Sequence, residues 1–171
     1  MTITPDTSSR IAIPAQWRPE RSPGAVLARL AAHRLELLER VRYDEHRRWH
    51  ARLTPAEAGT SEVEVWLLSW LPGQVSPLHD HGGSSGAFTV LTGALDEGVV
   101  SATSGRSSEH LWTRGPVRAF GSHHVHEVGN DGDVPAVSLH AYAPELGSMT
   151  RYRRTGSGLE ARSVEVAGSD W

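Results

Sequence analysis

Residues 73–93 read GQVSPLHDHGGSSGAFTVLTG, and the first chemical feature in them is His79-Asp80-His81. On a strand, residues i and i+2 point to the same face, so His79 and His81 can approach one metal ion together while Asp80 points away. An HxH triplet alone is common and carries little. Working outward, 62–71 (EVEVWLLSWL) alternates and then becomes continuously apolar, as a buried strand does, and Leu71-Pro72-Gly73 ends it. Short apolar segments follow at 87–92, 94–101, 117–120, 135–142 (PAVSLHAY), 149–153 and 163–166, separated by Gly93, Arg114-Gly115-Pro116 and the turn residues 129–133. Short strands with a turn every eight to twelve residues predict an all-β sandwich or barrel.

Upstream of the strands the pattern is helical. Ser22 reads as an N-cap with Pro23 in the first turn, and Val26, Leu27, Leu30, Leu35, Leu37 and Leu38 follow. One amphipathic helix over 23–40 is expected, with a short helix or turn at 42–52. Residues 1–21 are polar and rich in Pro and Arg, and are expected to form a loosely ordered arm. The organisation expected is thus a single domain over 1–171, with an arm at 1–21, a helical segment at 22–50 and a β-barrel at 60–167.

The chain has 171 residues, a net charge of −3 and no cysteine. One core is expected at that length. Without cysteine, disulfides, thiolate metal sites and a thiol nucleophile are excluded. No basic stretch offers a nucleic-acid footprint, and no apolar run reaches a membrane span. With no secretory leader visible at the N-terminus, a cytoplasmic protein without nucleic-acid or membrane partners is expected, as a monomer or weak homo-oligomer. Histidine stands out: of ten, His79, His81, His110, His123, His124, His126 and His140 fall between 79 and 140. Of these, His110 is expected to be a surface or structural residue, as are His33, His46 and His50 outside the cluster. His124 shares a strand face with His126 and competes with it as a ligand.

The spacing Gly73-x5-His79-x-His81-x4-Gly86-x6-Gly93 resembles the first cupin motif, and His126-x3-Asn130 resembles the end of the second. That resemblance implies a double-stranded β-helix (jelly-roll) barrel behind the N-terminal α-helical segment, with His79, His81 and His126 inside it as metal ligands. Gly86 stands where most cupins carry a glutamate ligand. A neutral three-histidine face leaves positions open for a ligand and O2, though imidazoles alone do not name the metal.

The segments HDHGGSSGAFTVLTGALDE (79–97), HEVGN (126–130) and PAVSLHAYAPELGSMTRY (135–152) resemble the cysteine dioxygenase family of thiol dioxygenases, and in particular its bacterial arginine-type members. The resemblance implies Fe(II) as cofactor, with L-cysteine and O2 as substrates and cysteine sulfinic acid as product. It also implies that Ser138, His140 and Tyr142 form a catalytic relay beside the metal; their spacing of two puts all three on one strand face, costly unless they are satisfied as a network. The family's arginine for the substrate carboxylate matches Arg52, in WHARLT (49–54), with Arg47 and Arg48 nearby. Animal members link a cysteine to the site tyrosine at the position of Gly86, so Tyr142 is unmodified here. The alternatives are 3-mercaptopropionate or another thiol acid as substrate, a different cupin enzyme, and a non-enzymatic cupin that binds a metal or small ligand without turnover.

Overall fold

The computed structural model describes residues 20–101, 106–156 and 158–167; most of the arm expected at 1–21 lies outside them. The elements are α1 (Pro23–Ala31), α2 (Arg34–Leu38), β1 (His50–Arg52), α3 (Pro55–Ala58), β2 (Glu64–Trp70), β3 (Val75–His79) and β4 (Ser85–Thr92). Then come β5 (Ala94–Val100), β6 (Ser107–Thr113), β7 (Val117–Phe120), β8 (His126–Gly129), β9 (Ala136–Ala143), β10 (Ser148–Thr155) and β11 (Gly158–Val166). The strands form two antiparallel sheets, ordered β1-β2-β9-β4-β7 and β11-β10-β3-β8-β5-β6. This is the double-stranded β-helix that the strand pattern and the two histidine motifs predict. No helix among the described residues is long and apolar enough to cross a membrane.

The central strand β9 explains why 135–142 reads as an unbroken buried run. Val137, Leu139 and Ala141 pack with Val65, Leu67, Ala87 and Leu91 of the same sheet against Val26, Leu27 and Leu30 of α1. The alternate residues Ser138, His140 and Tyr142 face the barrel interior. The β2 register opposes them with Leu68, Trp66 and Glu64, and the β4 register with Val90, Phe88 and Gly86. Helices cover one face of this sheet and the barrel core covers the other, so period-2 alternation survives as chemistry while burial is continuous.

The expected single helix over 23–40 is two helices. Ser22 caps α1, its Oγ accepting from Ala25 N at 3.3 Å. The buried positions Val26, Leu27 and Leu30 make one stripe, but Leu37 rejoins the core only after His33 and Arg34, and Leu35 is 65% exposed. With Ala32 and His33 exposed after Ala31, no core contact carries the helix on, and the chain turns at 32–33. The segment 42–52 is not helical: it runs irregularly into β1, which adds an edge strand to β2 and brings His50 to Arg52 into the sheet. The helix α3 and the strand β6 were not anticipated. β6 is an edge strand exposed almost throughout, so no apolar alternation marks it.

Leu27 is fully buried between α1 and the sheet. Truncation to Ala is expected to destabilise the protein by about 3 kcal/mol, measured by urea unfolding, while metal affinity stays at the parent value because no site residue touches this interface.

Candidate metal centre

Three imidazoles meet at one end of the barrel. In the pairing of β3 with β8, His79 lies directly opposite His126. His81 lies just past the end of β3, so the shared face is completed by a turn and not by the strand itself. The turn is held by Asp80, which points away as expected. Its Oδ1 accepts from Gly82 N at 3.1 Å and Thr150 N at 2.9 Å, and its Oδ2 accepts from the Tyr152 hydroxyl at 2.8 Å. Gly82 has φ +57°, and a Cβ there would stand 2.5 Å from the Ser148 carbonyl oxygen, so the turn requires glycine.

The ring centroids of His79, His81 and His126 are 4.9–5.0 Å apart, and one nitrogen from each lies within 4.8 Å of the others. The hydrogen bonds fix which nitrogen is free. His79 Nδ1 lies 2.8 Å from the Pro77 carbonyl oxygen, which can only accept, so Nδ1 carries the proton and Nε2 a lone pair. His126 Nδ1 donates to Glu97 Oε1 at 2.8 Å, with the same result. Both nitrogens of His81 are buried without a hydrogen-bond partner. An orphaned buried imidazole beside two aimed lone pairs is what a metal ion satisfies, and these three residues fit one. Burial, reinforced by the neighbouring histidines, holds His79 and His81 well below the ordinary imidazole value and lowers His126 as well, so all three imidazoles are neutral at neutral pH.

Glu97 is the residue the sequence reading passed over. It sits on β5, sharing a face with the buried Leu95, and is 1% exposed. Its Oε1 accepts from His126 Nδ1 and from His124 Nε2 at 2.9 Å; its Oε2 accepts from Trp112 Nε1 at 2.9 Å and Arg118 Nε at 3.2 Å. Burial opposes ionisation of this carboxyl, but the hydrogen bonds from His124 and His126 and the charge of Arg118 outweigh it and hold Glu97 ionised far below the usual carboxylate range. His124 is therefore engaged by Glu97 and stands outside the three-imidazole cluster.

Gly86 leaves no room for a fourth ligand. A Cβ there would lie 2.6 Å from the Phe120 ring and 2.9 Å from Tyr142 Cδ1. Phe120 stacks on His81 at 4.8 Å between centroids, filling the space.

A cavity of about 80 Å³ opens beside His79 and His126, lined also by Arg48, His140, Tyr142 and Met149. One water needs about 10–15 Å³ on that scale, so a small molecule fits. No acidic side chain lines it among the described residues. Ser138 Oγ lies 2.9 Å from His140 Nε2, so the first two members of the expected relay are joined. Tyr142 is brought to the same cavity, but among the described residues no hydrogen bond joins it to His140. Burial pushes its hydroxyl above the ordinary tyrosine value, so it stays protonated.

Arg52 is not in this cavity. Its guanidinium is half exposed and pairs with Glu64 at 3.2 Å and Glu145 at 2.9 Å, lining a separate surface cleft. Arg48 stands in the cavity instead. It lies over the Trp70 ring at 4.6 Å, its Nε is buried without a partner, and burial pushes it down to about 10. Arg151 also lines the cavity, but Glu165 neutralises it through two hydrogen bonds of 2.8 and 2.6 Å. His50, expected to be a surface or structural residue, lines the cavity too.

Fold and site together define a cupin whose barrel carries three histidines fit for a metal. The chain belongs to the cysteine dioxygenase type I family, whose model matches residues 26–155. Among curated proteins it is 33% identical over 87 residues to germin-like protein subfamily 2 member 1 of Arabidopsis thaliana, covering 51% of this chain and 39% of that one. It is 30% identical over 87 residues to nectarin-1 of Nicotiana plumbaginifolia, covering 51% and 38%. The chain thus spans under two fifths of the length of these relatives. Among solved structures, oxalate oxidase in complex with the substrate analogue glycolate superposes with a TM-score of 0.53 at 18% identity, over 62% of this chain and 55% of that one. A double-stranded β-helix protein of Klebsiella pneumoniae subsp. pneumoniae gives 0.52 at 18% identity, over 74% and 94%. These likenesses establish the fold alone.

Two outcomes follow from the geometry. Glu97→Gln, which removes the charge holding His126, is expected to weaken metal binding about 10–100-fold in competition with a chromophoric chelator. The metal-free protein is expected to lose stability as pH falls. In the unfolded chain the ligand histidines titrate near 6.5, and in the folded chain burial holds them below that. The unfolded state therefore binds more protons below pH 6.5, so denaturation midpoints drop as pH is lowered from about 7 to about 5 and recover on return.

Proposed function

We propose that this chain is a thiol dioxygenase that oxidises L-cysteine with O2 to cysteine sulfinic acid, using Fe(II) held by His79, His81 and His126. Family membership supports the reaction class. The observation that carries the substrate class is Arg48, a guanidinium in the cavity beside His79 and His126 with a buried Nε lacking a partner. A half-buried cation with a donor to spare and, among the described residues, no acidic side chain lining its cavity calls for an anion, and a guanidinium grips a carboxylate with two parallel hydrogen bonds.

The residues then divide the work. Arg48 binds the substrate carboxylate and sets the distance from it to the thiol. The three neutral imidazoles leave the centre's full positive charge to favour the thiolate. When bound, the iron supplies the redox chemistry, in which thiolate and O2 combine to sulfinate with both oxygen atoms on sulfur and no external reductant. The Tyr142 hydroxyl, kept protonated by burial, donates a hydrogen bond to the carboxylate or to the oxygen side of the substrate. Trp66, Leu68, Leu146 and Met149 line the remaining wall and limit the substrate to a small one.

The test is O2 uptake by the Fe(II)-loaded protein with L-cysteine, 3-mercaptopropionate and cysteamine. Consumption of a carboxylate-bearing thiol, with cysteamine left nearly untouched, is expected. A protein that binds thiols without consuming O2 is a binding cupin and sinks the reading. Arg48→Gln is expected to lower kcat/KM by about tenfold to a hundredfold, and Arg52→Ala, whose guanidinium lines a separate cleft, to lower it less than Arg48→Gln does.

A further inference from the structure

Trp70 ends β2 and is 1% exposed. Asn130, the last residue of HEVGN, holds its backbone by donating from Nδ2 to the Trp70 carbonyl oxygen at 3.0 Å. Two things converge on its indole. Its Nε1 donates to Ser138 Oγ at 2.9 Å, and its ring face carries the Arg48 guanidinium at 4.6 Å.

The first contact has a direction. An indole N–H can only donate, so Ser138 Oγ must accept from it. Ser138 is fully buried, and its other hydrogen bond runs to His140 Nε2 at 2.9 Å. If His140 Nε2 also donated, Oγ would accept twice and its own proton would be buried with nowhere to go. The satisfied arrangement has the hydroxyl donating to His140 Nε2, which must then hold a lone pair. His140 is 4% exposed and burial keeps it neutral, so its one proton resides on Nδ1. No protein group bonds Nδ1 among the described residues, and His140 lines the cavity.

We infer that Trp70 is a positioning residue with two functions: its N–H fixes the His140 tautomer so that the relay presents a donor from Nδ1 toward the cavity, and its ring seats Arg48. The chain Trp70, Ser138, His140 is polarised one way by a group that cannot reverse. Whatever occupies the cavity, whether the Tyr142 oxygen or a bound anion, meets a hydrogen-bond donor there and not a base. The carboxylate anchor and the relay therefore share one support, and their separation is set by a single rigid ring. The effect on turnover rests on the thiol-dioxygenase reading; the tautomer does not.

The test has two arms. In the full-length protein with 15N-labelled histidine, two-bond proton–nitrogen correlation reports each tautomer, His140 being assigned by its loss in His140→Gln. The parent protein should show the Nδ1–H form, and Trp70→Phe, which keeps a ring but removes the donor, should release the Nε2–H form. An Nε2–H tautomer in the parent, or an unchanged Nδ1–H tautomer in Trp70→Phe, overturns the inference. If Trp70→Phe does not fold, Ser138→Ala breaks the same chain without emptying the core, and an unchanged tautomer there overturns it equally. In the activity arm, Trp70→Phe should lower kcat about tenfold with KM within about twofold, and Trp70→Leu should raise KM about tenfold as well. Equal loss in both parameters for both variants contradicts the division of roles. Should the parent oxidise no thiol at all, the proposed activity falls, and the tautomer arm still decides the role of Trp70.

Discussion

Glu97 is the point on which the site's geometry depends. Four donors from separate parts of the chain (β6, β7, and positions 124 and 126) end on one buried carboxylate. A buried donor left unpaired costs about 1–3 kcal/mol, so replacing this acceptor would strand several groups at once. The same hydrogen bond that satisfies Glu97 holds His126 with its Nε2 lone pair toward His79 and His81. The negative charge sits one residue behind the ligands, where it orients an imidazole without taking a coordination position.

The space a carboxylate at position 86 would need is closed from the other side. Gly86 faces Phe120 across one strand and Tyr142 across the other, and even a methyl group at 86 would collide with both. Phe120 stacks on His81 and His124, so the apolar plug also aligns two imidazoles. Three neutral imidazoles, a carboxylate set behind them and a filled space at Gly86 are one solution to a single packing problem. On the open side, the cavity collects a guanidinium with a buried unpaired Nε and a protonated phenol, and among the described residues no acid, which is an environment for an anion.

What could be seen in the sequence is what short-range periodicity encodes. The spacing of two in Ser138, His140 and Tyr142 is a local rule, and the barrel honours it: β9 delivers all three of its polar residues to the interior between Leu68 and Val90, Trp66 and Phe88, Glu64 and Gly86; His79 and His81 also meet, but through the turn that follows β3. Arg48 was not separable from Arg52 because 42–49 has no regular structure and hence no period to say which guanidinium points inward. Arg52, on the short edge strand β1, is held in a separate cleft by the buried Glu64 and by Glu145, a partner 93 residues away. Glu97 had a faint signal, an acid on the same face as the core residue Leu95, but the convergence of its four donors is a tertiary fact. Within the relay, the sequence placed the side chains but not their bonds: Ser138 joins His140 and is itself fed by Trp70, while Tyr142 stands apart.

We propose that His79, His81 and His126, and no carboxylate, hold the metal. Anomalous diffraction from crystals of the iron-loaded protein tests it most directly. One peak within bonding distance of an imidazole nitrogen of each of the three is expected, with Glu97 still accepting from His126 Nδ1. A peak coordinated by Glu97 and His124, the other group of potential ligands in this barrel, would contradict it.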